Sequence, residues 1–191
     1  MKIVLSKLCH VALAVALFVA AQTAVASNAL FLSPAEQTVD VSAGMVSLDL
    51  WMDFDDPTLG GGIDLTLNGP LAFAGFTPSD FFLNDADESF SGHSGPEGTA
   101  DNDYEIHFGD FSGLSGLNVL GTIEVSLTGA GSGVIDLAIN STWGEFFNAT
   151  TLAVQDVNLS GASVQITAVP LPAAIWFFAG GLGLLVTRRR R

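Results

Sequence analysis

Val46, Leu48, Leu50 and Met52 alternate along the chain with Ser47, Asp49, Trp51 and Asp53. A two-residue period places the first set on one face of a strand and the second set on the other. The same spacing returns at Ile63, Leu65 and Leu67, at Tyr104, Ile106 and Phe108, at Ile123, Val125 and Leu127, and at Ile135, Leu137 and Ile139. Between these rows, Asp55-Asp56-Pro57 through Gly60-Gly61-Gly62, Asn68-Gly69-Pro70, Asp110 to Gly116, and Gly129 to Gly133 read as turn-rich breaks. Ala29 to Leu32 and Gln37 to Val41 read as short strands parted at Pro34, and Leu71 to Phe76, Thr151 to Leu159 and Ala162 to Thr167 add three more. Thr77-Pro78-Ser79-Asp80 predicts one helical turn through Leu83, with Thr77 as N-cap and Pro78 in the first helical position. Asn84 to Asn102 is polar and glycine-rich and reads as loops around at most one strand. No helical period is sustained through this part of the chain. The pattern predicts an all-β fold, a two-sheet antiparallel jelly-roll sandwich over residues 27–168, built from about eight to ten short strands.

The two ends follow different rules. Residues 1–26 read as a secretory signal peptide: Lys2 and Lys7 open it, Val11 to Ala21 is its apolar core, and Ala24-Val25-Ala26 is a small-x-small cleavage pattern. Cleavage after Ala26 would start the mature chain at Ser27; the alternative is a retained anchor helix. Cys9, the only cysteine, precedes the apolar core and would leave with the signal, so the mature sandwich stands without a disulfide. Residues 169–191 run from a Pro-containing motif into an apolar stretch and end on Arg188, Arg189, Arg190 and Arg191. Leu171 to Thr187 is 17 residues, about 25 Å as a helix at roughly 1.5 Å per residue, the short limit for a membrane span. The arginines predict that this end of a transmembrane helix over 171–187 stays in the cytoplasm with the sandwich outside.

Charge sharpens this division. All six Lys and Arg lie in the two ends, whereas all twenty Asp and Glu lie between Ser27 and Thr187. A surface with carboxylates and no bases repels phosphate backbones, which excludes nucleic acid as a partner. The same interval is rich in Leu, Ile, Val and Phe, which sets it apart from a disordered acidic tail.

Three acidic clusters are candidate calcium sites: Asp53, Asp55 and Asp56; Asp85, Asp87 and Glu88; and Asp101, Asp103 and Glu105. None has the glycine and distant closing Glu of an EF-hand loop, and solvated loop acids are the alternative reading. No other cofactor is implied. Catalysis has little to stand on, since His93 and His107 are the only histidines beyond the signal. Gly92-His93-Ser94-Gly95-Pro96 has Pro where a nucleophile elbow needs its second glycine. No catalytic residue is assigned. Trp51 falls on the polar side of its row, either exposed as a sugar-stacking residue or packed against the second sheet's edge or a covering loop. Asn140-Ser141-Thr142, Asn148-Ala149-Thr150 and Asn158-Leu159-Ser160 fit the glycosylation acceptor pattern, which chance also supplies in such a composition.

Two resemblances enter on these residues. Gly121-Thr122-Ile123-Glu124-Val125-Ser126-Leu127, Gly133-Val134-Ile135-Asp136-Leu137-Ala138-Ile139 and Gly161-Ala162-Ser163-Val164-Gln165-Ile166 resemble the second half of a cohesin domain. Gln37 to Val46 and Gly62-Ile63-Asp64-Leu65-Thr66-Leu67 are similar to its first half, though Asn68-Gly69-Pro70 stands where many cohesins have an aromatic-Asp-Pro turn. The resemblance implies a jelly-roll sandwich of the cohesin and carbohydrate-binding-module kind; dockerin recognition does not follow from it. Val169-Pro170-Leu171-Pro172-Ala173-Ala174, with the apolar run and Arg188 to Arg191 behind it, resembles a PEP-CTERM sorting signal. That implies export in a Gram-negative bacterium, transient retention in the inner membrane, processing by an exosortase after signal peptidase has acted, and a place in exopolysaccharide or biofilm production. A permanent single-pass anchor is the alternative.

Three functions remain in order: a non-enzymatic surface or matrix sandwich that binds an exopolysaccharide or a matrix protein; a calcium-assisted carbohydrate-binding module; and, last, a polysaccharide hydrolase.

Overall fold

A computed structural model describes residues 28–95 and 103–168. The signal peptide with its cleavage site at Ala24, Ala26 and Ser27, the sorting motif, the helix expected over 171–187, the arginine tail and Asp101 lie outside the described residues. No helix among the described residues is long and apolar enough to cross a membrane.

Nine strands, one short helix and one 3-10 turn make up the described chain. They are β1 (Asn28–Ser33), β2 (Glu36–Asp40), β3 (Met45–Asn68), β4 (Leu71–Pro78), α1 (Asp80–Asn84), β5 (Gly92–Ser94), β6 (Asp103–Leu127), β7 (Gly131–Ile139), β8 (Val157–Ser160) and β9 (Ala162–Thr167). The all-β expectation holds.

Two strands organise the rest. β3 has 24 residues and β6 has 25, and they pair antiparallel twice over: Met45 to Phe54 against Gly116 to Ser126, then Thr58 to Thr66 against Asp103 to Leu114. The first stretch belongs to a layer ordered β8-β1-β3-β6-β4, and the second to a layer ordered β2-β9-β7-β3-β6-β5. Hydrogen bonding is thus continuous from one layer into the other.

The core fills the space between. Leu30 and Leu32 from β1, Leu48, Leu50, Met52, Ile63 and Leu65 from β3, Ile106, Ile123 and Val125 from β6, and Val164 and Ile166 from β9 are all buried. Even-numbered residues face this core from Val46 to Phe54, and odd-numbered ones from Ile63 to Leu67. The parity change is absorbed by register shifts at Phe54/Thr58 and Thr58/Gly60. A third shift, at Leu50/Trp51, leaves Leu120 as the extra residue of a β-bulge, with its side chain fully buried.

Five sequence expectations are corrected. The breaks expected at 55–62 and at Asp110 to Gly116 are the bends of β3 and β6; both strands run on through them, with Thr58 paired to Leu114 between the two register shifts. Their glycines are there for close approach: Gly60 pairs with Gly109 at φ +104°, and a Cβ on Gly60 would overlap the Phe108 carbonyl. The sheet is not purely antiparallel, because β1 runs parallel to β8 and β2 parallel to β9. Ser79, and not Thr77, caps the helix, accepting from the Phe82 amide at 3.1 Å, while Thr77 and Pro78 remain in β4. Ile139 does not complete an inward row; β9 pairs β7 only as far as Ile135, so Ile139 stands at an open edge, 37% exposed. The strand read over Thr151 to Leu159 shrinks to β8, preceded by a single bridge between Phe147 and Val154.

Candidate functional site

The segment after β7 builds the site. From Asn140 to Ala149 it runs beside the bend of β3 and bonds to it repeatedly: Asn140 N to Gly62 O at 2.9 Å, Leu59 N to Phe147 O at 2.7 Å, and Ala149 N to Pro57 O at 2.8 Å. The Thr58 hydroxyl, fully buried, donates to Phe147 O at 3.2 Å and accepts from Gly60 N at 3.1 Å. Adjacent glycines of β3 seat two aromatic rings from this segment. A Cβ on Gly61 would meet the Phe146 ring at 3.0 Å, and one on Gly62 would meet Trp143 Cβ at 2.7 Å. Phe146 lies in the core against Phe54 and Phe108, at centroid distances of 5.6 and 5.7 Å. Trp143 lies on the outer face.

There Trp143 is fixed on two sides. Its indole stacks on the His107 imidazole, and its Nε1 donates to Glu105. Glu105 also accepts from Asn140 Nδ2 at 3.2 Å, and the same nitrogen donates to Asp64 at 2.5 Å. Asn140 Oδ1 accepts from the Thr142 and Trp143 amides, both at 2.8 Å, closing the turn that carries the indole. Asn140 is 4% exposed and fully engaged, so the acceptor triplet that begins there is not available for glycosylation. His107 Nδ1 lies 3.4 Å from Glu105 without hydrogen-bond alignment. Burial under the indole lowers the His107 pKa; the Glu105 carboxylate opposes this, and His93 adds to the lowering.

Beside the indole a groove of about 150 Å³ opens along the bend. Its lining includes Gly60, Gly61 and Gly109, the aromatic residues Phe90, Phe111, Trp143 and Phe147, and the acidic residues Asp110 and Glu145. Phe111 is 73% exposed and Trp143 44%, and Phe90 meets Phe111 edge-on at 4.7 Å. Asp110 accepts from the Ser112 amide at 2.6 Å and from the Ser112 hydroxyl, which lowers its pKa. It is an ionised rim group at neutral pH.

The other candidate residues are placed elsewhere. Trp51 is half-buried and stacks on Phe31, its partner across the β1/β3 pairing, with centroids 6.3 Å apart and planes within 5°, so the ring it packs on belongs to the adjoining strand of its own layer. His93 bonds to the Tyr104 hydroxyl and sits edge-on to Phe76. Asp87 accepts from the Ser89 amide at 2.8 Å, and Asp85 is the C-cap of α1. Among the described residues no three metal-ligating side chains gather, and that includes the Asp53, Asp55 and Asp56 run. Glu105, a member of the third candidate calcium cluster, holds Trp143 and Asn140, and its cluster mate Asp101 lies outside the described residues.

The period of β6 puts Glu105 and His107 on one face. That Asn140 and Trp143 come to lie on them is not legible in the sequence, because no local pattern links residues about thirty-five positions apart.

No family model matches the chain, and no curated protein matches it. Solved structures do. A non-cellulosomal cohesin from the archaeon Archaeoglobus fulgidus is 15% identical at a TM-score of 0.52, covering 74% of this chain and 92% of that one. The sandwich is cohesin-like. The cohesin of a type I cohesin–dockerin complex from Clostridium thermocellum is 14% identical with a TM-score of 0.56, over 78% of this chain and 99% of that one. The seventh ScaB type I cohesin of Pseudobacteroides cellulosolvens matches the cohesin-like sandwich at 13% identity and a TM-score of 0.55, over 76% and 96%. At such identities the likeness is one of fold.

Proposed function

We propose that this chain is an exported surface or extracellular-matrix protein whose cohesin-like sandwich, residues 27–168, is a non-enzymatic binding module. The observation that carries the binding role is the Trp143 groove: exposed rings, one of them locked in place, around a glycine floor on the outer face of a sheet. Neither His93 nor His107 is paired with a nucleophile; one bonds a tyrosine hydroxyl and the other lies under an indole. The neighbours' fold is compatible with a binding role, and one of those neighbours was solved with its dockerin. Dockerin recognition is not carried over to this chain.

Export rests on the sequence. A signal peptide with Ala24, Ala26 and Ser27 at its cleavage site, the Val169 to Ala174 motif, the apolar run over 171–187 and Arg188 to Arg191 stand in the order of a PEP-CTERM substrate. Signal peptidase and an exosortase are its proposed processing enzymes, and an exopolysaccharide-rich matrix its proposed destination. Intact-mass measurement of the protein recovered from the cell surface tests this. A mature N-terminus at Ser27 and loss of the arginine tail support it; a surface protein that still carries Arg191 favours a permanent anchor instead.

A second reading, a calcium-assisted carbohydrate-binding module, is favoured by one feature, the exposed indole of Trp143 beside carboxylates. Trp143 would then take the stacking role that the sequence suggests for Trp51. A glycan array read with calcium and with chelator decides it: calcium-dependent retention of a glycan supports this reading, and no retention under either condition removes it.

A further inference from the structure

We propose that the groove beside Trp143 is the docking site of an extended protein segment that carries Lys or Arg, one cationic side chain resting against Trp143 and Phe111 with Asp110 and Glu145 at its charged end. This rests on the reading of the sandwich as an exported binding module and names the chemistry of its partner.

Size is the first reason. At about 150 Å³ the groove is smaller than the roughly 300–1,000 Å³ of pockets that enclose whole small ligands. It has room for one long side chain projected from a chain that passes over it. Lining is the second. Aromatic faces attract ammonium and guanidinium groups through their quadrupole, and here the same groove is lined by two acidic residues, Asp110 and Glu145. Charge is the third. With twenty acids and no Lys or Arg between Ser27 and Thr187, no cation within the sandwich can neutralise that rim. A cationic partner is drawn in by the field of the whole domain and an anionic one is turned away. Finally, the platform is ready before binding. Stacking on His107 and the bond to Glu105 already hold the indole, so little ordering is left to oppose association. A neutral glycan would also stack on the indole, but it would draw nothing from the net charge of the rim.

The test uses the full chain, purified and immobilised, with three probes: a fluorescent peptide of Gly, Ser and Arg, the same peptide with citrulline for Arg, and a neutral β-glucan oligosaccharide. The Arg peptide is expected to bind, and the citrulline peptide about tenfold more weakly. Raising NaCl from about 50 to about 500 mM should weaken the Arg peptide and leave any glycan binding unchanged. Trp143→Ala, Phe111→Ala and the pair Asp110→Asn with Glu145→Gln should each cost about tenfold. Phe111 is mostly exposed, so its variant reports on binding even if Trp143→Ala perturbs the fold. The pair Glu36→Gln with Asp40→Asn, on edge strand β2, removes equal charge elsewhere and should cost less than about twofold. Equal losses from the two charge pairs, or full binding by the Phe111 and Trp143 variants, would mean diffuse attraction of a polycation and overturn the proposal. Salt-independent glycan binding lost with Trp143→Ala would also overturn it while leaving the binding-module reading intact. If no probe binds and the groove variants attach to the producing cells as the parent does, that reading fails with it.

Discussion

The Trp143 indole lies on the His107 imidazole with ring centroids 3.8 Å apart and planes within 14°. The stack removes water from one face of the imidazole, and this disfavours its protonated form more than the nearby Glu105 restores it. The sign for stability follows from linkage. A histidine whose folded pKa lies below its unfolded value of about 6.5 contributes fully above that value. The contribution is lost as the pH falls through the lower, folded value. Thermal midpoints should therefore begin to decline as the pH falls below about 6.5, and His107→Gln should remove this limb. Trp143→Ala should raise the His107 pKa towards its ordinary value, which ring-proton NMR across a pH titration would show.

Gly60 and Gly144 both have positive φ, at +104° and +76°, but only Gly60 is crowded. Gly60→Ala would drive a methyl group into the Phe108 carbonyl across the bend, whereas Gly144→Ala meets nothing within 4 Å. Chemical denaturation should show a loss of about 3 kcal/mol or more for the first and about 1 kcal/mol for the second.

Phe146 and Phe111 stand on opposite sides of the same bend. Phe146 is fully buried against Phe54 and Phe108, so Phe146→Ala leaves a cavity and should cost about 3–5 kcal/mol. Phe111→Ala, at a mostly exposed site, should stay within about 0.5 kcal/mol in the same measurement.

Salt should stabilise this sandwich. Its carboxylates have no Lys or Arg among the residues from Ser27 to Thr187 to offset them, and self-repulsion opposes the compact state. Raising NaCl from about 10 to about 150 mM shortens the screening length from about 30 to about 8 Å. The expected gain is about 1 kcal/mol, or about 2–4 °C in the midpoint, and an equal osmolality of sucrose serves as the control for exclusion effects.

What the sequence made legible was local. The row Val46, Leu48, Leu50, Met52 faces the core as its period requires, and so do Ile63, Leu65 and Leu67. The link between those rows was not legible, because Asp-Asp-Pro and Gly-Gly-Gly mark a turn and a bent, bulged strand alike. Of the site, Glu105 and His107 could be placed on one face of β6. The indole above them and the amide beneath it could not, since Asn140 and Trp143 arrive through tertiary packing. Trp51 stands on the polar side of its row, and no local pattern shows that Phe31 of the neighbouring strand stacks beside it.

The double pairing of β3 with β6 also carries a temporal consequence. Met45 sits opposite Ser126 and Thr66 opposite Asp103, so the seam common to both layers cannot close until the chain as far as Ser126 is at hand. Distant pairings of this kind exact loop-closure entropy before they return any contact, and topologies dominated by them fold slowly. For a protein exported as proposed, that delay is useful: most of the polypeptide must be present before a folded body exists, which leaves time to thread it through a translocation channel as an open chain.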